Sequence, residues 1–279
     1  MKVLLCYPFK ENAYSKVGFI LPPLGLGYIA SYLRERRHEV EIVDFNITRE
    51  TIHWGAYDVI GISADTPRYL SALDLAREAK RAGVKVILGG HHVTFMDEEP
   101  LRMGLADYIV RGEGEETIGE LLGAIERNLS LADIKGISYI SGNEIIRTPD
   151  RGFVDISALP PPARDLLNLR SYQWLEMGGR KMTSILTSRG CPHECNFCST
   201  SRFNGLRWRA LNPERVLDEV EDIVQNYGFN GIAFLDDDFT LSPERVKEIC
   251  RLIVKRGLDI YWWCFSRADT ILRNEDMVR

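Results

Sequence analysis

The sequence predicts an α/β chain in two parts. Residues 1–130 form a doubly wound parallel sheet, and residues 181–279 form the front of an incomplete β/α barrel. A small hairpin and a proline-rich linker over 131–180 join them. Three observations lead there. Apolar runs of strand length alternate with amphipathic helical stretches up to about residue 127, the pattern of a parallel sheet with helical crossovers. Three consecutive prolines, 160–162, then break that pattern with a stiff segment. Beyond them a unit repeats, "LNPERVLDEVEDIV" from Leu211 and "LSPERVKEICRLIV" from Leu241, a period of 30 residues that suits a repeated βα unit.

Each element has its own local justification. "KVLLCYP" is a short apolar strand, and "PPLGLGYIASYLRERR" follows as a helix with Leu26, Ile29, Tyr32 and Leu33 on one face. "EVEIVDF" and "YDVIGIS" are the second and third strands. "TPRYLSALDLAREAKRAG" opens with Thr66 as cap and Pro67 at the first helical position, and closes at Gly83. "VKVILGG" and "ADYIVRG" are the fourth and fifth strands, and "GEETIGELLGAIERN" is a further amphipathic helix. Ligands of such sheets sit beyond the carboxyl ends of the strands. The loops to watch therefore begin near Tyr7, Asp44, Ser63, Gly89 and Arg111. "SYISGNEIIRTPD" reads as a hairpin and "DISALPPPARDLLNL" as the linker. "MTSILTS" is a strand that runs into a cluster of cysteines. In the repeat, Asn212 and Ser242 cap helices that begin with Pro213 and Pro243 and end at Gly228 and Gly257. The strands "GIAFLDD" and "DIYWWCF" follow. A complete barrel takes about 250 residues. From Lys181 to Arg279 there are 279 − 180 = 99 residues, room for about three units, so the chain is expected to be the front part of a longer protein.

The composition is that of an ordinary soluble domain pair, with net charge −5, 45% hydrophobic and 27% charged residues. It gives no reason to expect nucleic acid or an acidic membrane as partner. No apolar run reaches the roughly 20 residues of a transmembrane helix, and "MKVLLCYPFKEN" is too quickly polar for a secretory signal. A reducing cytoplasm is the expected compartment, where clustered thiols signify metal or redox chemistry rather than disulfides.

Three of the six cysteines, Cys191, Cys195 and Cys198, fall inside eight residues, "CPHECNFC". Cys6, Cys250 and Cys264 lie alone in apolar runs. Thiolates spaced C-x3-C-x2-C suit zinc, copper(I) or an iron–sulfur cluster. A closed zinc site needs a fourth ligand, which His193 could supply, although it sits between two of the cysteines. A [4Fe–4S] cluster held by three cysteines keeps one iron open for a reactant.

The loop "CPHECNFC", placed directly after the first strand of a βα-repeat domain, resembles the CxxxCxxC loop of radical S-adenosylmethionine (radical SAM) enzymes, with Phe197 at the usual aromatic position. The resemblance implies a [4Fe–4S] cluster on Cys191, Cys195 and Cys198 in a partial TIM barrel. The open iron would take the amino and carboxylate groups of S-adenosylmethionine, beside Phe197. "FLDDDFT" resembles the segment that contacts the methionyl amine in this family, which nominates Asp236, Asp237 and Asp238, with Asp237 preferred. A turn-capping role for at least one of them is the alternative. Arg267, in "FSRADTI", could pair with the cosubstrate carboxylate or stand exposed.

In the first part, "GLGYIA" (Gly25 to Ala30) with Asp44 matches the letters of a dinucleotide fingerprint. About 17 residues separate it from Tyr7, whereas the fingerprint requires its glycines in the turn directly after the first strand, so a nicotinamide site is not expected. "LPPLGLGYIASYLRERRHEVEIVD", "VILGGHHVTFMDE" and "DYIVRGEGEETI" instead resemble the Rossmann-like cobalamin-binding domain that precedes the radical domain in one large subgroup. The resemblance implies that Ser63, Gly89, Gly90, His91, Gly112, Glu113 and Gly114 surround cobalamin. The first loop, "YPFKENAYSKVG", lacks the histidine that ligates cobalt in many such domains, which implies cobalt without that ligand. His91 and His92 are expected in structural or nucleotide-tail contacts, and His38 and His53 at the surface. Arg202, Arg207 and Arg209, with Trp208, could receive an acidic electron donor or a substrate phosphate, or form a solvated basic loop.

These resemblances imply a cobalamin-dependent methyltransferase acting on an unactivated carbon or phosphorus of a small-molecule or lipid substrate. They also imply a low-potential electron donor such as flavodoxin or ferredoxin. A radical cyclase of tetrapyrrole or lipid substrates, and a cluster- or corrinoid-binding fragment without turnover, are the alternatives.

Overall fold

The computed structural model describes residues 1–10, 20–48, 50–172 and 180–279. Two compact units divide the chain, the first holding most residues up to Ser171 and the second most of those from Tyr172, together with Asp155–Leu159. Of the first loop, residues 11–19, where no histidine occurs, lie outside the described residues, as do 173–179 near the end of the linker.

The first unit is built on β1 (Lys2–Tyr7), α1 (Leu24–Glu35), β2 (Glu39–Asp44), β3 (Val59–Ser63), α2 (Tyr69–Arg81), β4 (Lys85–Gly89), α3 (His91–Phe95), α4 (Glu98–Arg102), β5 (Tyr108–Val110) and α5 (Glu115–Arg127). The five strands are parallel in the order β2-β1-β3-β4-β5. Successive side chains of a strand face opposite ways, and the near-continuous apolar strands supply both faces. Leu4, Cys6, Ile60, Ile62, Val86 and Leu88 pack with Ala72, Leu73 and Ala76 of α2. Val3, Leu5, Val59 and Ile87 pack with Ala30 and Leu33 of α1 and Leu121 and Leu122 of α5. The chain leaves β1 first to one side and then to the other, so the topological switch, where such sheets hold ligands, lies between the carboxyl ends of β1 and β3.

The hairpin of β6 (Ile137–Ser141) and β7 (Glu144–Arg147) was expected in the linker segment, but it extends this sheet. β6 pairs antiparallel with β5, and β7 with β6. The physical reason is a buried polar network that covers what would be an open edge. The Arg111 guanidinium donates to the carbonyls of Ile137 and Thr148, to the Ser138 hydroxyl and to Asp150. Ser138 donates to Asp97 at 2.6 Å, and Arg147 reaches the same carboxylate at 2.9 and 3.0 Å. Burial acts to raise the Asp97 pKa, but the hydrogen bonds from Arg147 and Ser138 outweigh it and hold the group below its ordinary value.

In the second unit come β8 (Met182–Ile185), β9 (Ser188–Arg189), α6 (Thr200–Phe203), β10 (Arg209–Ala210), α7 (Pro213–Asp222), β11 (Gly231–Phe234), α8 (Pro243–Lys255), β12 (Tyr261–Cys264), α9 (Ala268–Arg273) and α10 (Glu275–Val278). β8, β11 and β12 are parallel neighbours in chain order, as in the front of a β/α barrel. The repeat holds in atomic detail. The Asn212 side chain accepts from the Arg215 N–H at 2.8 Å, and the Ser242 hydroxyl accepts from the Arg245 N–H at 3.4 Å. The two arginines also act alike, each gripping carbonyls of the chain ahead of its own helix. Arg215 takes those of Ser157 and Leu159, and Arg245 takes those of Leu211 and Thr187, both at 3.0 Å.

Removing one partner of a buried charged network leaves the others unpaired, at about 3 kcal/mol or more. Arg111→Met is therefore expected to lower the denaturant midpoint of the first unit's transition by an amount equivalent to about 3 kcal/mol.

Candidate functional site

The cysteine loop begins where β8 and β9 end, and its root is fixed by one carboxylate. Asp236, fully buried just after β11, accepts from the Thr187 N–H at 2.7 Å, the Thr187 hydroxyl at 2.6 Å and the Ser188 hydroxyl at 2.7 Å. Arg245 donates to the same Thr187 hydroxyl at 2.9 Å. Burial raises the Asp236 pKa, against the hydrogen bonds from Thr187 and Ser188 and the field of Arg245. Asp236 is thus occupied inside the protein. Asp237 faces solvent and accepts from the Gly190 N–H at 3.0 Å. Asp238 is buried and accepts from the Thr240 hydroxyl at 3.1 Å. The run of three acids thus spans successive points of the loop entry.

Gly190 is the hinge of that entry. Its φ is +87°, and a Cβ there would stand 2.0 Å from the Arg207 carbonyl oxygen, so no side chain fits. In the loop itself, the Cys198 N–H donates to the Cys195 carbonyl at 3.0 Å. All three thiols are partly exposed. Burial raises the Cys191 thiol pKa; an N–H of His193 acts against this, while Asp238, Asp237 and Cys198 push further upward. Metal ligation requires the thiolate form. Among the described residues no three His, Cys, Asp or Glu side chains stand together tightly enough to ligate a single ion. The fit to a cluster therefore rests on the donor chemistry: three sulfurs on one short, pinned loop. Phe197 is 93% exposed at its tip. Arg267 bonds Asp269 at 3.0 Å and lies 3.8 Å from the Cys195 sulfur, so it reaches the cysteine loop.

The downstream basic residues divide. Arg202 and Arg207 are exposed. Trp208 lies below the Arg245 guanidinium, 5.9 Å to the ring centroid, and Arg209 sits on β10 with Asn204 at 3.3 Å. Thr187, Ser188, Gly190 and Arg245 were not singled out from sequence. The signal for Arg245 was present in the repeated "PER", because Arg215 holds the equivalent place.

At the switch point of the first unit, the Tyr7 ring lies beneath Arg68, 4.2 Å to the centroid, and Arg68 pairs with Asp65. His92 meets the Thr66 hydroxyl at 3.0 Å and stacks on Tyr69 with centroids 4.0 Å apart. Burial lowers the pKa of neighbouring His91, favouring its neutral form. Ser63 and Gly89 end adjacent strands and pair in register. Gly90 has φ +108°, and a Cβ would stand 2.9 Å from the Ala64 carbonyl oxygen, so its own neighbouring backbone already demands glycine there. Gly112 has φ +70° with open space around it, whereas Gly114 packs against Ile29. The Glu113 carboxylate accepts from the Val154 N–H at 2.9 Å, a tie within the fold.

Residues 13–122 match the B12 binding domain family and residues 185–279 match the Radical SAM superfamily. The chain is a B12-binding radical SAM protein. It is 39% identical to an uncharacterized methyltransferase of Pyrococcus horikoshii, over 97% of this chain and 61% of that one. It is 31% identical to the hopanoid C-3 methylase of Methylococcus capsulatus, over 100% of this chain and 54% of that one. The chain thus spans between about half and three fifths of the length of these curated relatives. Among solved structures, the cobalamin-dependent S-adenosylmethionine radical enzyme OxsB, with aqua-cobalamin and S-adenosylmethionine bound, superposes with a TM-score of 0.77. It is 24% identical, over 97% of this chain and 39% of that one, a likeness of fold. In this B12-binding radical SAM protein, the cysteine loop and the β1/β3 crevice lie where each domain's topology places a ligand.

Gly190→Ala is expected to push the loop entry off the Arg207 carbonyl. Anoxically reconstituted protein should then lose most of its bound iron and sulfide, measured against the unsubstituted protein, while the first unit's unfolding transition stays in place.

Proposed function

We propose that the protein is a cobalamin-dependent radical SAM methyltransferase acting on an unactivated centre of a small-molecule or lipid substrate. The observation that carries this reading is the pairing, in one chain, of a B12-binding domain with a radical SAM domain whose three-cysteine loop is rooted at the carboxyl end of the first barrel strand. The [4Fe–4S] cluster, S-adenosylmethionine and cobalamin supply, when bound, the radical and methyl-transfer chemistry. The chain's own residues bind and orient. Cys191, Cys195 and Cys198 hold the cluster. Asp237, the exposed member of the acidic run, faces the ammonium of the cosubstrate, and Arg267 faces its carboxylate, each a charge-assisted contact. Phe197 offers its exposed ring to the same molecule. Ser63, Gly89, Gly90, His91 and Gly112 line the crevice for cobalamin, with Glu113 and Gly114 shaping it from behind.

Exposed Arg202 and Arg207 suit an acidic, low-potential donor such as flavodoxin or ferredoxin. No helix among the described residues is long and apolar enough to cross a membrane. A reducing cytoplasm is the compartment in which such a thiol loop persists.

The decisive experiment uses the full-length protein, reconstituted without oxygen, with S-adenosylmethionine labelled in its methyl group and dithionite as reductant. The expected result is bound cobalamin by its absorbance and release of 5′-deoxyadenosine, with both cofactors required for turnover. Cys198→Ala should reduce 5′-deoxyadenosine to background. Release without any bound corrinoid would favour radical chemistry other than methyl transfer, and bound cofactors without release would mark a non-catalytic carrier.

A further inference from the structure

His193 lies between two of the three cysteines, yet its imidazole does not point into solvent. Its side chain is 33% exposed, and its Nε2 is buried 3.6 Å from Oδ2 of Asp238, a carboxylate only 1% exposed. Neither of these two atoms has a hydrogen-bond partner among the described residues. A separation of 3.6 Å is just beyond a hydrogen bond, and two complementary buried atoms left unpaired are costly. A shift of about half an ångström would satisfy both.

The rest of Asp238 is already fixed. Its other oxygen accepts from Thr240 at 3.1 Å, and the Thr240 hydroxyl is 2.5 Å from that of Ser266. Ser266 precedes Arg267, which reaches the Cys195 sulfur at 3.8 Å. On the other side, the backbone N–H of His193 acts on the Cys191 sulfur. Two adjacent strand ends, after β11 and β12, therefore meet the cysteine loop at two of its sulfurs through one short polar chain.

We infer that Asp238 and His193 form a clamp that closes on binding of the iron–sulfur cluster and sets both the placement of the loop and the cluster's reduction potential. This rests on the reading that Cys191, Cys195 and Cys198 hold that cluster. Asp238 and His193 are positioning residues: the imidazole donates to the carboxylate, which keeps a buried negative charge beside the sulfurs. Outer-sphere hydrogen bonding and nearby charge are the levers by which a protein tunes such a centre. The negative charge disfavours adding an electron, so Asp238 holds the potential low. The His193 side chain acts only through Asp238.

The test measures iron and sulfide content, the electron paramagnetic resonance signal of the reduced cluster and its midpoint potential in full-length, anoxically reconstituted protein. Asp238→Asn is nearly isosteric and is expected to raise the potential. His193→Phe should broaden the signal and shift the potential, and His193→Gln, which keeps an N–H donor, should restore much of both. In the Asp238→Asn background, His193→Phe should add nothing further. Should Asp238→Asn fail to fold, the two partly exposed His193 variants report on the same contact. The clamp is refuted by a cluster-bearing parent whose potential and signal are unmoved by either substitution. It is equally refuted if His193→Phe keeps its full effect in the Asp238→Asn background. A parent that takes up no cluster overturns the functional reading and the clamp together, and the iron assay on the parent alone identifies that case.

Discussion

The second unit depends on a single buried carboxylate. Asp236 stands just after β11, and among the described residues the groups it accepts from follow β8: the backbone and hydroxyl of Thr187 and the hydroxyl of Ser188 at the start of β9. Two parallel strands can share a ladder and still splay at their ends. Here the ends are tied by three donors to one anion, and Arg245 closes the arrangement from α8. A carboxylate desolvated to this degree is tolerable only when its lone pairs are filled. The two residues that fill them are also the last two before the loop entry at Arg189 and Gly190. The cost of burying the charge and the precision of the cysteine loop are therefore the same fact.

The acidic run shows how local register becomes division of labour. Neighbouring residues leaving a strand point to different sides. Asp236 therefore turns inward to Thr187 and Ser188, Asp237 turns outward to the Gly190 N–H, and Asp238 turns inward again toward His193. The sequence shows three adjacent acids in a family segment, without the reason that separates them. The pleat makes them different, and it leaves Asp237 as the exposed member of the three.

Much of the fold was legible because it rests on local rules. The alternation of apolar strands and helices, the glycine stops at Gly228 and Gly257, and the repeat with its Asn212 and Ser242 caps all appear in the structure; the expected Thr66 cap does not, because the Asp65 carboxylate accepts from the Arg68 N–H and Thr66 lies inside the turn it opens. The spacing of the three cysteines marked out their loop, but not the carboxylate at Asp236 that fixes its root. The hairpin's membership of the first sheet was not legible, because it depends on Arg111 reaching four partners up to 39 residues away, and no periodicity encodes that. Glu113 was nominated for a cofactor contact on its place in "RGEGEET", but its carboxylate ties down Val154. Gly90 was nominated to clear space for a ligand, and the nearest obstacle is the chain's own Ala64. In both cases the sequence marks a position under constraint without saying what imposes it.

The two units fix their ligand-facing loops with the same device in opposite charge. After β5 the loop must accommodate carbonyls of Ile137 and Thr148 from the incoming hairpin, so a buried cation, Arg111, is what fits. After β8 the groups to be satisfied are an N–H and two hydroxyls, so a buried anion, Asp236, is what fits. In each case an ion with several hydrogen-bonding sites replaces several separate neutral contacts and fixes their mutual geometry at one point. A neutral residue could satisfy one or two of those groups, but it could not hold the others in register, because an unpaired group would then be left buried. Loops that present sulfur or backbone at strand ends need that rigidity behind them, and a charge sealed into the strand ends provides it from inside the fold.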